Sequence, residues 1–333
     1  DDRAVGFGAN AAGGVGTETN GSIICPSNVN GLVGFKPTVG LVLQDGIVPI
    51  SPSQDTAGPM TTTVLGAALL MNAMDEGETD YAAALTPGAL QGVRIGALRA
   101  AQGSNPDIIA RFDTALEVMK GQGAELVEIT EFDAPPEFWP ASLLVLQYEF
   151  KASLNAYLAG AAPGVTARTL KDIIAFNMAN AEDELALFGQ DILEASDALG
   201  PLTDEAYIKA LALVQSATRG NGIDKILADH NVSVLVSPSG PVAPRIDPVN
   251  GDVWPEWAGA GWAAAIAGYP NLTVPMGDVH GVPAGISFMG ARNADAAILA
   301  YGFAYEQAGG IRLTPKYLES AEDRPEIKAA MQK

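Results

Sequence analysis

Over Asn105–Gln122 the apolar residues Ile108, Phe112, Leu116 and Met119 fall on one helical face, which predicts an amphipathic helix. Two short runs flank it, Val93–Leu98 and Glu125–Ile129, and each reads as a strand. Strand, helix and strand in that order argue for a parallel pair joined by a right-handed crossover. Residues 62–74 carry Ala, Leu and Met at helical spacing and predict a buried helix. Residues 138–200 read as mostly helical, with Thr169 placed to cap a helix and Asp172 at the third position after it. A further helix is predicted over 203–229, a small-residue helix over 261–268 and a final one over 295–307. Val232–Val236 reads as a buried strand that exits at Ser237-Pro238-Ser239-Gly240-Pro241. Residues 272–276 and 284–289 read as strands around the Asp278-Val279-His280-Gly281 turn.

The remainder is punctuated by glycine and proline. Residues 31–50 break into short strands and turns, and 75–92 form a polar connection. Residues 4–20 are rich in Ala and Gly, and their first part reads as a closely packed helix. The tail after Thr314 is charged and expected to be loose. The pattern is that of an α/β protein without repeats.

Composition narrows the functional classes. The chain has 333 residues, enough for one large domain with a substantial core. Its 39 acidic residues against 19 basic ones give a net charge of −20, which disfavours nucleic acid and anionic membrane surfaces as partners. A single cysteine, Cys25, excludes a disulfide within the chain and a cysteine-based zinc site. It reads as a small buried side chain in the apolar run Ile23-Ile24-Cys25. No apolar run reaches the ~18 residues that span a bilayer. A soluble, cytoplasmic protein is the default expectation, with the compartment not fixed by the sequence.

The chemistry points to Gly16-Thr17-Glu18-Thr19-Asn20-Gly21-Ser22. Glycines allow close approach of main chain to a substrate, and successive N–H groups in such a turn converge on one oxygen. A hydroxyl at the end of the turn is then placed to attack a carbonyl whose oxygen those N–H groups hold. Farther on, Ser239 and Gly240 lie where a strand ends, a position open to pocket lining or to a mere exit turn. Trp254, Trp257 and Trp262 sit on a loop, either flooring an apolar subsite or pinning the loop to the body.

The glycine turn is followed by Gly34-Phe35-Lys36-Pro37-Thr38 and then by Ser53-Gln54-Asp55-Thr56-Ala57-Gly58-Pro59-Met60. This series, in this order and spacing, resembles the amidase signature family. The likeness extends through Tyr148-Glu149-Phe150-Lys151, residues 170–177 and 184–190, and residues 267–276. It is strongest toward the peptide amidases, which release ammonia from C-terminally amidated peptides. The resemblance implies a single domain over 1–333, with a signature core at 1–75, a remainder at 76–314 and a loose tail at 315–333. The implied fold is a mixed, mostly parallel central sheet covered by helices on both faces.

The resemblance also implies roles. Ser22 matches the nucleophile of a Ser–cis-Ser–Lys triad, and the backbone N–H groups of Thr19, Asn20, Gly21 and Ser22 match the oxyanion hole. Tyr148, Ser239, Gly240 and Trp257 are expected to contact substrate. No metal or cofactor is implied. The bridging serine and the lysine of the family fall ahead of Asp1, so a companion or upstream segment is expected to carry them. A truncated or split non-catalytic piece, and an amidase acting on other small, fatty or aryl amides, are the alternatives. Lys36 belongs to the KPT segment that the family carries in addition to its catalytic lysine, and it reads as structural. Asn20 stands where the family has Gly or Asp, and Thr62 and Gly66 replace an Arg and an Asp of the usual pattern.

Other chemistries fit less well. A Ser-His-Asp triad requires a histidine, and nothing in the sequence brings His230 or His280 to Ser22. The spacing after Gly6-Phe7-Gly8 fails the dinucleotide fingerprint, and no phosphate-loop motif is present.

Overall fold

The computed structural model describes residues 13–244, 247, 251, 255–309 and 311–315. The helix expected early in residues 4–20, Trp254 and the charged tail from residue 316 lie outside the described residues.

The chain enters through β1 (Gly13–Glu18), α1 (Ile24–Val29), β2 (Val33–Lys36), β3 (Thr56–Thr61) and α2 (Val64–Met74). Then follow β4 (Arg94–Leu98), α3 (Pro106–Gly121), β5 (Glu125–Ile129) and α4 (Phe138–Ala159). A helical stretch holds α5 (Leu170–Ala179), α6 (Ala181–Glu184), α7 (Asp191–Asp197), α8 (Glu205–Thr218) and α9 (Asp224–Asp229). The chain continues through β6 (Val234–Pro238), α10 (Gly261–Ala267), β7 (Asn271–Val279), β8 (Val282–Met289) and α11 (Asp295–Gly309). Among the described residues no helix is long and apolar enough to cross a membrane.

Local chemistry accounts for several boundaries. Asn105 caps α3 by accepting from the N–H groups of Asp107 and Ile108, and Pro106 opens the helix where a missing N–H costs nothing. Ile108, Phe112, Leu116 and Met119 form its buried stripe, as the spacing predicts. Thr169 and Asp172 form the expected reciprocal capping box at α5. The predicted helix over 203–229 is interrupted at Arg219–Ile223, where Gly222 leaves helical geometry. His280 and Gly281, both with positive φ, make the tight turn between β7 and β8.

The eight strands of the described residues join one sheet in the order β1-β3-β2-β7-β8-β6-β4-β5. The α/β class and the mixed character agree with the sequence reading; the expectation of a mostly parallel sheet does not. Among the described residues only β4–β5 and β4–β6 pair in parallel, and the other five pairings are antiparallel. The β4-α3-β5 crossover was legible and does give a parallel pair. Hairpin and loop connections elsewhere return the chain antiparallel.

The two faces of the sheet differ. Val33, Phe35, Ile95, Ala97, Val234, Val236, Leu272, Val274, Ile286 and Phe288 share one continuous core with residues of α2, α3 and α11. On the other face Leu98, Leu235 and Met289 pack with Ala263, Ala264 and Ala267 of α10. Toward β1 that second face turns polar. Strand alternation puts Glu18, Thr56, Lys36, Asn271, Thr273, Ser287 and Ser237 there, and all are buried. Helix α1 covers this strip, packing over β2, β7 and β8. It descends far enough that a Cβ on Gly34 would lie 2.3 Å from Ser27 Oγ.

Candidate active site

The polar strip and α1 build the site. Strand β1 ends at Glu18, and the chain turns through Thr19–Ile23 into α1. Gly21 makes the turn with φ of 102°, a conformation that disfavours any side chain. Glu18 Oε2 accepts the N–H groups of Ile23 at 2.9 Å and Ile24 at 3.0 Å, donors that a helix start leaves without intrahelical partners. The N–H groups of Asn20, Gly21 and Ser22 donate to no group among the described residues. The helix start is thus satisfied by a side chain, and the three amides before it remain available to a ligand.

Thr19 is buried behind the turn, its hydroxyl donating to Asp55 Oδ1 at 2.6 Å. The other oxygen of Asp55 accepts the N–H groups of Ile50 and Ser51, each at 2.8 Å. The aspartate of the Ser53–Met60 segment therefore ties the turn to the neighbouring loop. Asp55→Asn removes one of these acceptor oxygens and is expected to lower stability by about 1–2 kcal/mol, read from the denaturant midpoint. An unchanged midpoint would show that the clamp contributes nothing.

The segment after β2 is also anchored. Thr38 donates its N–H and hydroxyl to the two carboxylate oxygens of Asp295, at 2.8 and 2.5 Å. Lys36 is fully buried and donates from Nζ to the carbonyl of Pro37 at 2.9 Å. It does not line the cleft described next.

A cleft of about 450 Å³ opens beside the turn. Glu18, Asn20, Gly21, Ile24 and Cys25 form one wall; Ser239, Trp257, Gly259, Gly261 and Trp262 form another. Trp139 reaches it from α4 and Asn271 from β7. Of the residues singled out from sequence, Asn20, Gly21, Ser239 and Trp257 meet here. Ser22 is solvent-exposed, at the end of the turn and next to the lining residue Gly21. Gly240 is buried one residue behind Ser239, where an added Cβ would meet Asn28 Nδ2 at 3.2 Å. The hydroxyl of Ser239 is engaged, 2.6 Å from Thr273 Oγ1 and accepting from Ser287 Oγ at 3.0 Å, so it shapes the base of the cleft.

Tyr148 requires a correction. It is buried on the inner face of α4, its hydroxyl donating to Asp204 at 3.1 Å and its ring beside Tyr207. It is no part of the cleft wall, because the face of α4 that bears it packs against α8. Nine positions earlier, Trp139 occupies the position that reaches the cleft. Cys25 also differs from expectation. It is half-buried in the cleft wall, and burial, reinforced by Glu18, pushes its thiol up to about 12. At neutral pH it stays protonated and does not compete as a nucleophile.

Trp262 stands on α10 and not on the expected loop. It lines the cleft and packs against Phe132, Phe138 and Trp139, with ring centroids 5.1–5.4 Å apart. Neither histidine reaches the site. His280 is exposed at the β7–β8 turn, 3.4 Å from Asp107, and His230 follows α9. Asn271, a polar residue at an inward strand position, was missed. Its signal was an amide side chain where the alternation of β7 calls for a buried group.

The geometry defines an α/β protein with an amide-lined turn and an exposed serine beside an apolar cleft. Residues 4–299 match the Amidase family, and the chain belongs to that family. It is 31% identical over 331 residues to a protein named "Probable amidase" from Arabidopsis thaliana, covering 91% of this chain and 58% of the relative. To one component of the glutamyl-tRNA(Gln) amidotransferase of Rhodospirillum rubrum it is 30% identical over 332 residues, covering 92% of this chain and 63% of the relative. The crystal structure of peptide amidase from Stenotrophomonas maltophilia superposes with a TM-score of 0.87 at 39% identity, covering 95% of this chain and 66% of that one. The chain thus spans about three fifths of the length of the relatives it matches.

Proposed function

We propose that the protein hydrolyses a carboxamide, with the C-terminal amide of a peptide as the best-fitting substrate, to a carboxylate and ammonia. The observation that carries this reading is the set of three backbone N–H groups at Asn20, Gly21 and Ser22 that are unengaged among the described residues, beside an exposed serine hydroxyl and an apolar cleft. Ser22 Oγ attacks the carbonyl carbon, and the developing oxyanion is held by amides of the turn, each good donor contributing roughly 3 kcal/mol. The carbon–nitrogen bond then breaks, ammonia leaves, and water releases the acid from the acyl-serine. The proton is taken and returned by the family's lysine through its bridging serine, both supplied by sequence outside this chain. The walls formed by Ile24, Trp139, Trp257 and Trp262 suit an apolar acyl side chain. Likeness to peptide amidase over nearly the whole chain supports the same class.

The test is ammonia release from an amidated dipeptide, with hydroxylamine present to intercept the acyl group as a hydroxamate. The chain is assayed alone and joined to the upstream portion of the family. Release with hydroxamate formation is expected in at least the joined form. Absence of both in both forms would overturn the reading.

A further inference from the structure

Asn271 is fully buried, yet neither Nδ2 nor Oδ1 has a hydrogen-bond partner among the described residues. A buried amide left in that state costs free energy, so its presence needs a reason. The side chain lines the cleft, on the polar face of the sheet. The neighbouring wall leaves room for it: a Cβ on Gly261 would stand 3.0 Å from Nδ2. Two other polar side chains of the cleft are already committed. The hydroxyl of Ser239 is held by Thr273 and Ser287, and Glu18 Oε2 by two backbone amides. Asn271 therefore offers the cleft one free acceptor and one free NH₂ donor on a rigid strand. Because both atoms lack partners, this holds for either orientation of the amide.

We propose that Asn271 reads a second amide group in the acyl part of the ligand, pairing with the C=O or the N–H of a peptide link next to the carboxamide. This rests on the amide-hydrolase reading of the same cleft and names the feature that separates a peptide amide from a simple alkyl amide. A carboxamide can donate to the C=O of a secondary amide or accept from its N–H, a bond that an apolar chain of the same shape does not reproduce. A site with unpaired buried groups rejects the ligand that leaves them unpaired.

The experiment measures equilibrium binding to Ser22→Ala protein, which prevents turnover. The two ligands are N-acetyl-L-leucinamide and isohexanamide, which carries the same side chain and carboxamide without the second amide. The first is expected to bind at least ~10-fold more tightly. Adding Asn271→Leu is expected to abolish that preference and to leave the melting temperature level or higher, since an unpaired polar group is removed from the interior. Asn271→Ala serves as a second variant, with the same loss of preference expected.

No preference in the Ser22→Ala protein, or a preference that survives in both Asn271 variants, overturns the proposal. Ammonia release by the wild type is scored separately. Binding discrimination that depends on Asn271 without any ammonia release leaves recognition standing and removes the hydrolase reading. Ammonia release with discrimination untouched by the Asn271 variants does the reverse.

Discussion

Ser22→Ala is expected to cut ammonia release by on the order of 10⁴- to 10⁶-fold, the range seen when the nucleophile of a serine hydrolase is removed. The same change is expected to leave stability within about 0.5 kcal/mol. The two expectations come from one observation. Ser22 is exposed and makes no hydrogen bond or ion pair among the described residues, so its hydroxyl supports no part of the fold. Turn geometry depends instead on Gly21, on Glu18 and on the Thr19–Asp55 bond. The backbone amide of residue 22 survives the substitution, so an oxyanion would still be held. Only covalent attack is lost, and acyl-hydroxamate formation should vanish together with ammonia. The comparison is made in whichever form of the protein releases ammonia. A variant retaining a tenth or more of the activity would assign the nucleophile elsewhere.

The parts of the fold that were legible in the sequence are those decided by neighbours in the chain. The crossover unit, the Thr169–Asp172 capping box and the stripe of α3 depend on spacing within a turn or two. Strand order and direction depend on contacts between distant segments, and the one crossover unit reports only its own parallel pair. The site divides in the same way. The glycine turn is a local motif and was read as a candidate anion hole. Tyr148 and Trp139 lie on one helix, and only the packing of α4 against α8 decides which of them faces the cleft. Lack of partners at Asn271 is a property of three dimensions. A strand pattern registers an inward polar residue and says nothing of whether it is paired.

The largest expected effect on stability belongs to Glu18→Ala. Two consequences add. The N–H groups of Ile23 and Ile24 lose their acceptor in a buried place, and Lys36, fully buried, loses one of the two carboxylates that favour its charge. The expected loss is about 3–5 kcal/mol at neutral pH. Its pH dependence separates the two. Burial pushes the Lys36 ammonium down from 10.5 to about 8, against the pull of Glu18 and Asp295. Between these values the unfolded chain binds a proton that the folded one has released, so stability rises with pH across that window. Below pH 8 the penalty is fully present, about 3 kcal/mol. Without Glu18 the folded value drops further, and the rise begins at lower pH. The cost of Glu18→Ala should therefore shrink between about pH 6.5 and about pH 9, as Lys36 becomes neutral in both proteins. What remains at the higher pH is the loss of the two backbone partners. Glu18→Gln keeps an oxygen for those partners, and its cost should fall close to zero there. Lys36→Met should flatten the rise between these pH values and reduce the cost of Glu18→Ala at neutral pH, a non-additivity that a double-mutant cycle measures. Cys25 titrates in the unfolded chain from about 9 upward and opposes the rise, so the comparison is between variants at one pH. Equal costs for Glu18→Ala at both pH values would mean that Lys36 does not sense this carboxylate. The turn would then be held by its hydrogen bonds alone.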